Sequence, residues 1–211
     1  MKILALSDRV VEAIYSARVR NLYGDVDLVI GCGDLPYYYL EYVATLLPVP
    51  VVYVFGNHDK TQYTADGRIV HAPEGCISLE GRSVVVKGLI LAGLGGSMRY
   101  RPQAANQYTE GEMRWRILKL IPALLLNRLR YGRYLDILVT HSPPFGIHDG
   151  SDLTHRGFKS FLTFMRYFKP RYLLHGHKHV YRNNATVSSL YHETRVVNVY
   201  PKRLIEWDGN G

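Results

Sequence analysis

Cysteine is scarce in this chain: two in 211 residues, Cys32 and Cys76, in no metal-type spacing. That excludes a small secreted scaffold held together by several disulfides. Cys32 falls inside an apolar run and reads as a buried free thiol. Long apolar runs are missing too. No window of roughly 18 apolar residues occurs, so no membrane-spanning helix is expected. The opening MKILALSDRV carries one lysine and an apolar stretch too short for a signal peptide, and reads as a first strand. The expectation is a cytoplasmic protein without a membrane partner. The chain also lacks internal repeats, low-complexity tracts and a linker long enough to part domains. Residues 1–211 are therefore expected to form one domain.

Acidic residues are fewer than basic ones, 18 against 26, for a net charge of +8. Residues 99–133 carry most of the excess, with eight Arg or Lys against Glu110 and Glu112. Such an excess favours anionic substrates or nucleic acid. The segment TEGEMRWRILKLIPALLLNRLRYGR also fits a helix with acids at its start and bases at its end, which complements the helix dipole. A solvated helix face is the expected reading, and a nucleic-acid surface the alternative.

What the chain has in quantity is β-branched apolar runs: 2–6, 26–32, 51–55, 84–94, 135–140, 171–175 and 195–199. Residues 11–22 and 37–47 are long enough for crossover helices between the early runs, which implies a parallel sheet with right-handed connections. Residues 69–94 are broken by PEG, EGR and GLGGS and are expected to form antiparallel hairpins. Helices are expected over 108–131, with Pro122 kinking or ending it, and over 155–169. Residues 180–207 read as short strands. The sum is an α/β sandwich.

Several runs end on polar residues: Ser7-Asp8, Gly33-Asp34, Gly56-Asn57-His58-Asp59, Thr140-His141 and His175-Gly176-His177. In the stretch VVYVFGNHDK, Gly56 is read as a hinge at the end of a buried strand. Gly, Asn and Asp are common in turns, but five such ends favour one site. Carboxylate, amide and imidazole donors without thiolate suit divalent transition metals. The period of two in an extended segment also puts His177 and His179 on one face.

The ordered set Asp8, Gly33-Asp34, Gly56-Asn57-His58-Asp59, His141 and Gly176-His177-x-His179 resembles the calcineurin-like metallophosphoesterases, over residues 1–199. THSPPFGIHD and GLGGSMRY resemble a branch of small single-domain prokaryotic members. The resemblance implies a four-layer α/β/β/α sandwich with mixed sheets and two divalent metal ions at the strand ends (Mn, Fe, Zn or Ni, with Mn favoured). Asp34 would bridge the ions. Asn57, His141 and His177 would complete one site, and Asp8 and His179 would serve the other. His58 would stand beside the scissile phosphate as proton donor or charge stabiliser. The implied reaction is hydrolysis of a small phosphoester, a diester ahead of a monoester, by a hydroxide held between the ions. Nucleic acid is the less favoured substrate, because polymer-cutting members carry added domains.

One position departs from the pattern. Where the family places a histidine two residues after Asp8, this chain has Val10. The Asp8 and His179 site is therefore expected to bind its ion weakly, and a non-catalytic interaction module stays open as a second reading. Arg9 is a candidate substrate contact or a surface arginine. Arg99, after the glycine-rich turn, is a candidate phosphate ligand or a solvated arginine. His148 is a candidate lining residue of the substrate pocket. Tyr37, Tyr38 and Tyr39 read as a packed helix start or as a pocket wall.

Overall fold

The computed structural model describes residues 1–63, 67, 69–180 and 186–209. In chain order the first half runs β1 (Lys2–Leu6), α1 (Val19–Tyr23), β2 (Leu28–Cys32), α2 (Tyr37–Leu46), β3 (Val51–Val54), β4 (Gln62–Tyr63), β5 (Ile69–Val70), β6 (Ile77–Ser78), β7 (Ser83–Val86), β8 (Leu89–Leu94), β9 (Ser97–Met98) and β10 (Gln107–Tyr108). The second half runs α3 (Glu110–Tyr131), β11 (Ile137–Thr140), α4 (Lys159–Phe168), β12 (Tyr172–His175), β13 (Ser188–Tyr191), β14 (Thr194–Asn198) and β15 (Lys202–Glu206).

Two mixed sheets result, ordered β15-β1-β2-β3-β6 and β13-β14-β12-β11-β8-β7. In the first, β1, β2, β3 and β6 are parallel and β15 returns antiparallel to β1. In the second, β8, β11, β12 and β14 are parallel, with antiparallel β7 and β13 at the edges. The strand period of two sorts the core into three layers. Ile3 and Ala5 of β1 join Ile137, Val139 and Leu174 between the sheets. Leu4 and Leu6 face the other way, onto Val19, Tyr39 and Val43 of α1 and α2. On the second sheet, Leu138 and Leu173 face Met113, Leu120, Leu124 and Phe161 of α3 and α4. The order is therefore α/β/β/α, as expected.

Helix boundaries depart from the sequence expectation in two places. Over 11–22 only Val19–Tyr23 is helical. The segment leaves β1 through a left-handed Asp8 (φ 62°), and the β-branched pair Val10-Val11 then disfavours a helical start. The helix expected from 155 begins at Lys159, where Glu110 of α3 accepts from the Lys159 and Ser160 amides at 3.1 and 2.6 Å. Pro122 does not end α3, which runs 22 residues from a Thr109–Glu112 capping box to a left-handed Gly132. Ile117, Leu120 and Leu124 hold the turns on both sides of the proline against the sheet. The hairpin expectation for 69–94 holds for β7 and β8, whereas β6 joins the first sheet in parallel. Of the tail expected as strands, residues 181–185 lie outside the described residues and the rest forms β13, β14 and β15.

Candidate metal centre

The C-terminal ends of β1, β2 and β3 in one sheet, and of β11 and β12 in the other, meet at one edge of the sandwich. Asp8, Asp34 and Asn57 follow the first three, and His141 and His177 follow the other two. Loop bonds register these ends: the Asp8 amide donates to the Gly33 carbonyl at 3.1 Å, and the Gly176 amide to the His141 carbonyl at 3.0 Å. Asp8, Asp34 and His177 have positive φ (62°, 54° and 64°), a conformation that costs a non-glycine residue about 1–3 kcal/mol. Strain of this kind collects where a site fixes its side chains.

Gly56 is present for space, since its φ is not positive. A Cβ there would lie 2.1 Å from the Asp34 Oδ1 atom, so any side chain would displace that carboxylate. Gly33 has both constraints: φ is 86°, and a Cβ would lie 2.6 Å from the Gly56 nitrogen.

Asp34, His141 and His177 each bring a ligand atom within 4.8 Å of the others. His141 is fully buried and His177 nearly so. His141 Nδ1 lies 2.8 Å from the Cys32 carbonyl, which assigns the proton of the neutral ring to Nδ1 and leaves Nε2 as a lone pair. That Nε2 faces Asn57 Oδ1 at 3.1 Å, Asp34 Oδ2 at 3.3 Å and His177 Nδ1 at 3.1 Å. His177 Nε2 is held by the Thr154 carbonyl at 2.7 Å, so its Nδ1 is also a lone pair. With both rings neutral, four acceptors converge with no hydrogen between them. An unsatisfied buried acceptor costs about 1–3 kcal/mol, and one divalent cation would satisfy all four. The donor set suits such an ion.

The electrostatics agree that positive charge belongs there. Burial opposes a charge on His141, but Asp34 beside it wins, and without a metal the ring holds a second proton up to about 10. Burial likewise opposes ionised Asp34, yet the His141 charge, its hydrogen bond and the His58 amide keep that carboxyl at about 2. Burial and the His141 charge push His177 down to about 4.

Asp8 has its own partners. Its Oδ2 accepts from Ser7 Oγ and from the His177 amide at 3.0 Å, and its Oδ1 lies 3.4 Å from His179 Nε2. The His179 ring stacks on Tyr200, with centroids 4.5 Å apart. Val10 packs into the apolar layer under α1 and α2. Among the described residues, no third His, Cys or carboxylate joins Asp8 and His179 as closely as the first three ligands join one another.

His58 is exposed at the rim, and its amide donates to Asp34 Oδ1 at 2.7 Å. Arg9 is exposed beside Asp8. Two other expectations meet different surroundings. The Arg99 guanidinium is tied to Glu112 Oε1 at 2.9 Å and to the Gln107 carbonyl at 3.2 Å, so it clamps β9 and β10 to α3. His148 bonds His175 Nε2 at 3.1 Å and Ser189 Oγ at 2.9 Å, and is half-buried. Tyr37 and Tyr39 are buried in the packed start of α2.

Residues without a sequence-derived role support the ligands. The Asp59 carboxylate clasps the Gly56 and Asp34 amides at 2.7 and 3.0 Å, and burial pushes it up to about 6. Asn57 Nδ2 donates to the Tyr100 hydroxyl at 3.2 Å, which turns the amide oxygen toward His141. Asn198 Nδ2 donates to the Lys178 carbonyl at 2.8 Å, steadying the turn that carries His177 and His179. Asp59 lay inside a recognised motif, whereas the Cys32 and Thr154 carbonyls have no side-chain signature.

The family profile described as calcineurin-like phosphoesterase matches residues 1–181, and the chain belongs to that family. None of the curated proteins matches it. Among solved structures, TT1561 of Thermus thermophilus is 16% identical, covering 94% of this chain and 88% of its own at a TM-score of 0.57, which supports the shared fold. A single mutant of Vps29 from Entamoeba histolytica is 14% identical over 94% of this chain and 73% of its own, at a TM-score of 0.40. The family is generally dependent on a dinuclear metal centre.

Proposed function

We propose that this chain hydrolyses a small phosphoester, a diester in preference to a monoester, with divalent cations held by Asp34, Asn57, His141, His177, Asp8 and His179. The observation that carries this reading is the convergence of four acceptors at the shared edge, with both imidazoles oriented by backbone carbonyls. When bound, the cations supply charge to the phosphoryl oxygens and lower the pKa of water.

The chain's own residues do the rest. Asp34 lies 3.3 Å from His141 and is held ionised at neutral pH. The Cys32 and Thr154 carbonyls orient the His141 and His177 rings, and such outer partners typically contribute about 10–100-fold to affinity or activity. His58 gives a proton to the departing ester oxygen, a role supported by its exposure and by the bond of its backbone amide to Asp34. Arg9 stands at the same rim as a substrate contact. Hydrolysis of p-nitrophenyl phosphate and bis-p-nitrophenyl phosphate, assayed with Mn²⁺, Ni²⁺, Zn²⁺ and Fe²⁺, tests the proposal. Turnover that depends on added metal is expected, and no turnover with any ion would refute it.

The two cation positions should differ. Asp34, Asn57, His141 and His177 make a four-ligand set, whereas Val10 leaves Asp8 and His179 one imidazole short. Titration of Mn²⁺ into stripped protein should give one tight and one weak event, and Val10→His should tighten the weak one. Two equally tight events in the wild type would show that something else fills that position.

A further inference from the structure

The outward face of α3 is apolar where a solvated face was expected. Trp115, Leu118, Pro122, Leu125, Leu126 and Leu129 lie on it, Trp115 exposed at 60% and Leu129 at 84%. At 3.6 residues per turn they share one side of the helix, opposite Met113, Ile117, Leu120 and Leu124 in the core. The stripe follows a helix of 22 residues, roughly 33 Å. An apolar groove of about 560 Å³ toward α4, lined by Ile121, Phe164 and Tyr167 among others, widens it. A helix apolar on both sides is normally covered.

The charges say what covers it. Between Met113 and Arg133 there is no carboxylate. The same helical geometry sets Lys119 and Arg130 along one edge of the stripe and Arg114 and Arg128 along the other, all four exposed. Their recorded contacts are weak: Arg114 lies 3.9 Å from Glu110, Lys119 lies over the Trp115 ring, and Arg128 over Tyr134. A second copy meeting this face with its own would set cations against cations. A protein partner would need carboxylates fixed along both edges, whereas lipid headgroups supply negative charge anywhere along them. Trp and Leu between two rows of Lys and Arg is the composition of a helix lying in a membrane interface.

We propose that the outer face of α3 docks the protein peripherally on anionic phospholipid, with the stripe inserted at the headgroup boundary and the four cations against the headgroups. Among the described residues no helix is long and apolar enough to cross a membrane, so the attachment is to one surface.

Co-sedimentation of the full chain with vesicles of phosphatidylcholine alone, or mixed with phosphatidylglycerol, tests this. Each basic residue near an anionic surface contributes a few-fold, so four predict at least about tenfold more binding to the mixed vesicles at low salt, declining as salt is added. In a Trp207→Phe background, Trp115 emission should shift to the blue on the same vesicles. The double variant Leu125→Asp/Leu129→Asp alters only exposed positions and should lose binding while keeping its circular dichroism spectrum. Equal binding to both vesicle types, undiminished binding by the double variant, or a wild-type dimer that the double variant dissolves would each overturn the proposal.

Discussion

Asp34→Ala is expected to leave a folded protein that takes up no metal and hydrolyses no ester. Asp34 Oδ2 is 3.3 Å from His141 Nε2, inside the group of converging acceptors, while Oδ1 accepts from the His58 amide. The nearby Asp59 carboxylate is already engaged by the Gly56 and Asp34 amides. The loss in metal affinity should exceed the roughly 10–100-fold that outer partners of a ligand cost. Elemental analysis of wild type and variant purified in parallel provides the check, and equal metal content would remove Asp34 from the ligand set.

The same substitution has a signature in metal-free protein. His141 is raised to about 10, so its charge contributes stability fully below its ordinary value near 6.5, and that contribution is lost as pH rises through about 10. Asp34 is depressed to about 2, so its contribution is present above 3.8 and is lost as pH falls through about 2. The chelated wild type should therefore melt highest between about pH 4 and 6.5 with respect to this pair, and Asp34→Ala should flatten both limbs. Metal must displace the second His141 proton, so uptake should release acid and weaken as pH is lowered.

The second large effect is on rate alone. His58→Ala should keep the metal content of the wild type and lose about 10²–10⁴-fold in turnover, the usual contribution of a general acid. The separation follows from geometry: the His58 backbone amide, which any residue but proline supplies, holds Asp34, while its side chain is exposed. The loss should be smaller for a substrate with a good leaving group such as p-nitrophenolate than for an alkyl ester, because a weakly basic oxygen needs less protonation. Full activity in the variant with both substrates would remove His58 from the mechanism.

The strand ends were legible in the sequence because the ligands follow largely apolar runs, and five such runs could be counted without knowing how they pair. What orients the ligands was not legible. Cys32 and Thr154 act through carbonyl oxygens that every residue carries, and Tyr100 reaches Asn57 from another loop. Gly56 read as a hinge because glycine so often is one. Its constraint is the Asp34 carboxylate, 25 positions from Asp59 in the same clasp, and only the fold brings them together.

The α3 face shows a different limit. Acids at the start and bases at the end describe the ends of a helix, and those ends are satisfied as expected: Glu112 closes the capping box and Gly132 the terminus. The charge pattern does not report which side of the helix meets the sheet. With Leu and Ile on nearly every turn, two apolar faces exist, and only packing chooses the one that is buried. Similarly, β15 could be read as a strand, but not as one returning past the whole chain to pair with β1.

The most direct measurement is anomalous diffraction from crystals of the protein soaked in Mn²⁺. The account predicts a peak between Asp34 Oδ2, Asn57 Oδ1, His141 Nε2 and His177 Nδ1, with a weaker one toward Asp8 and His179. A crystal with manganese bound elsewhere and no peak among those four atoms would contradict it.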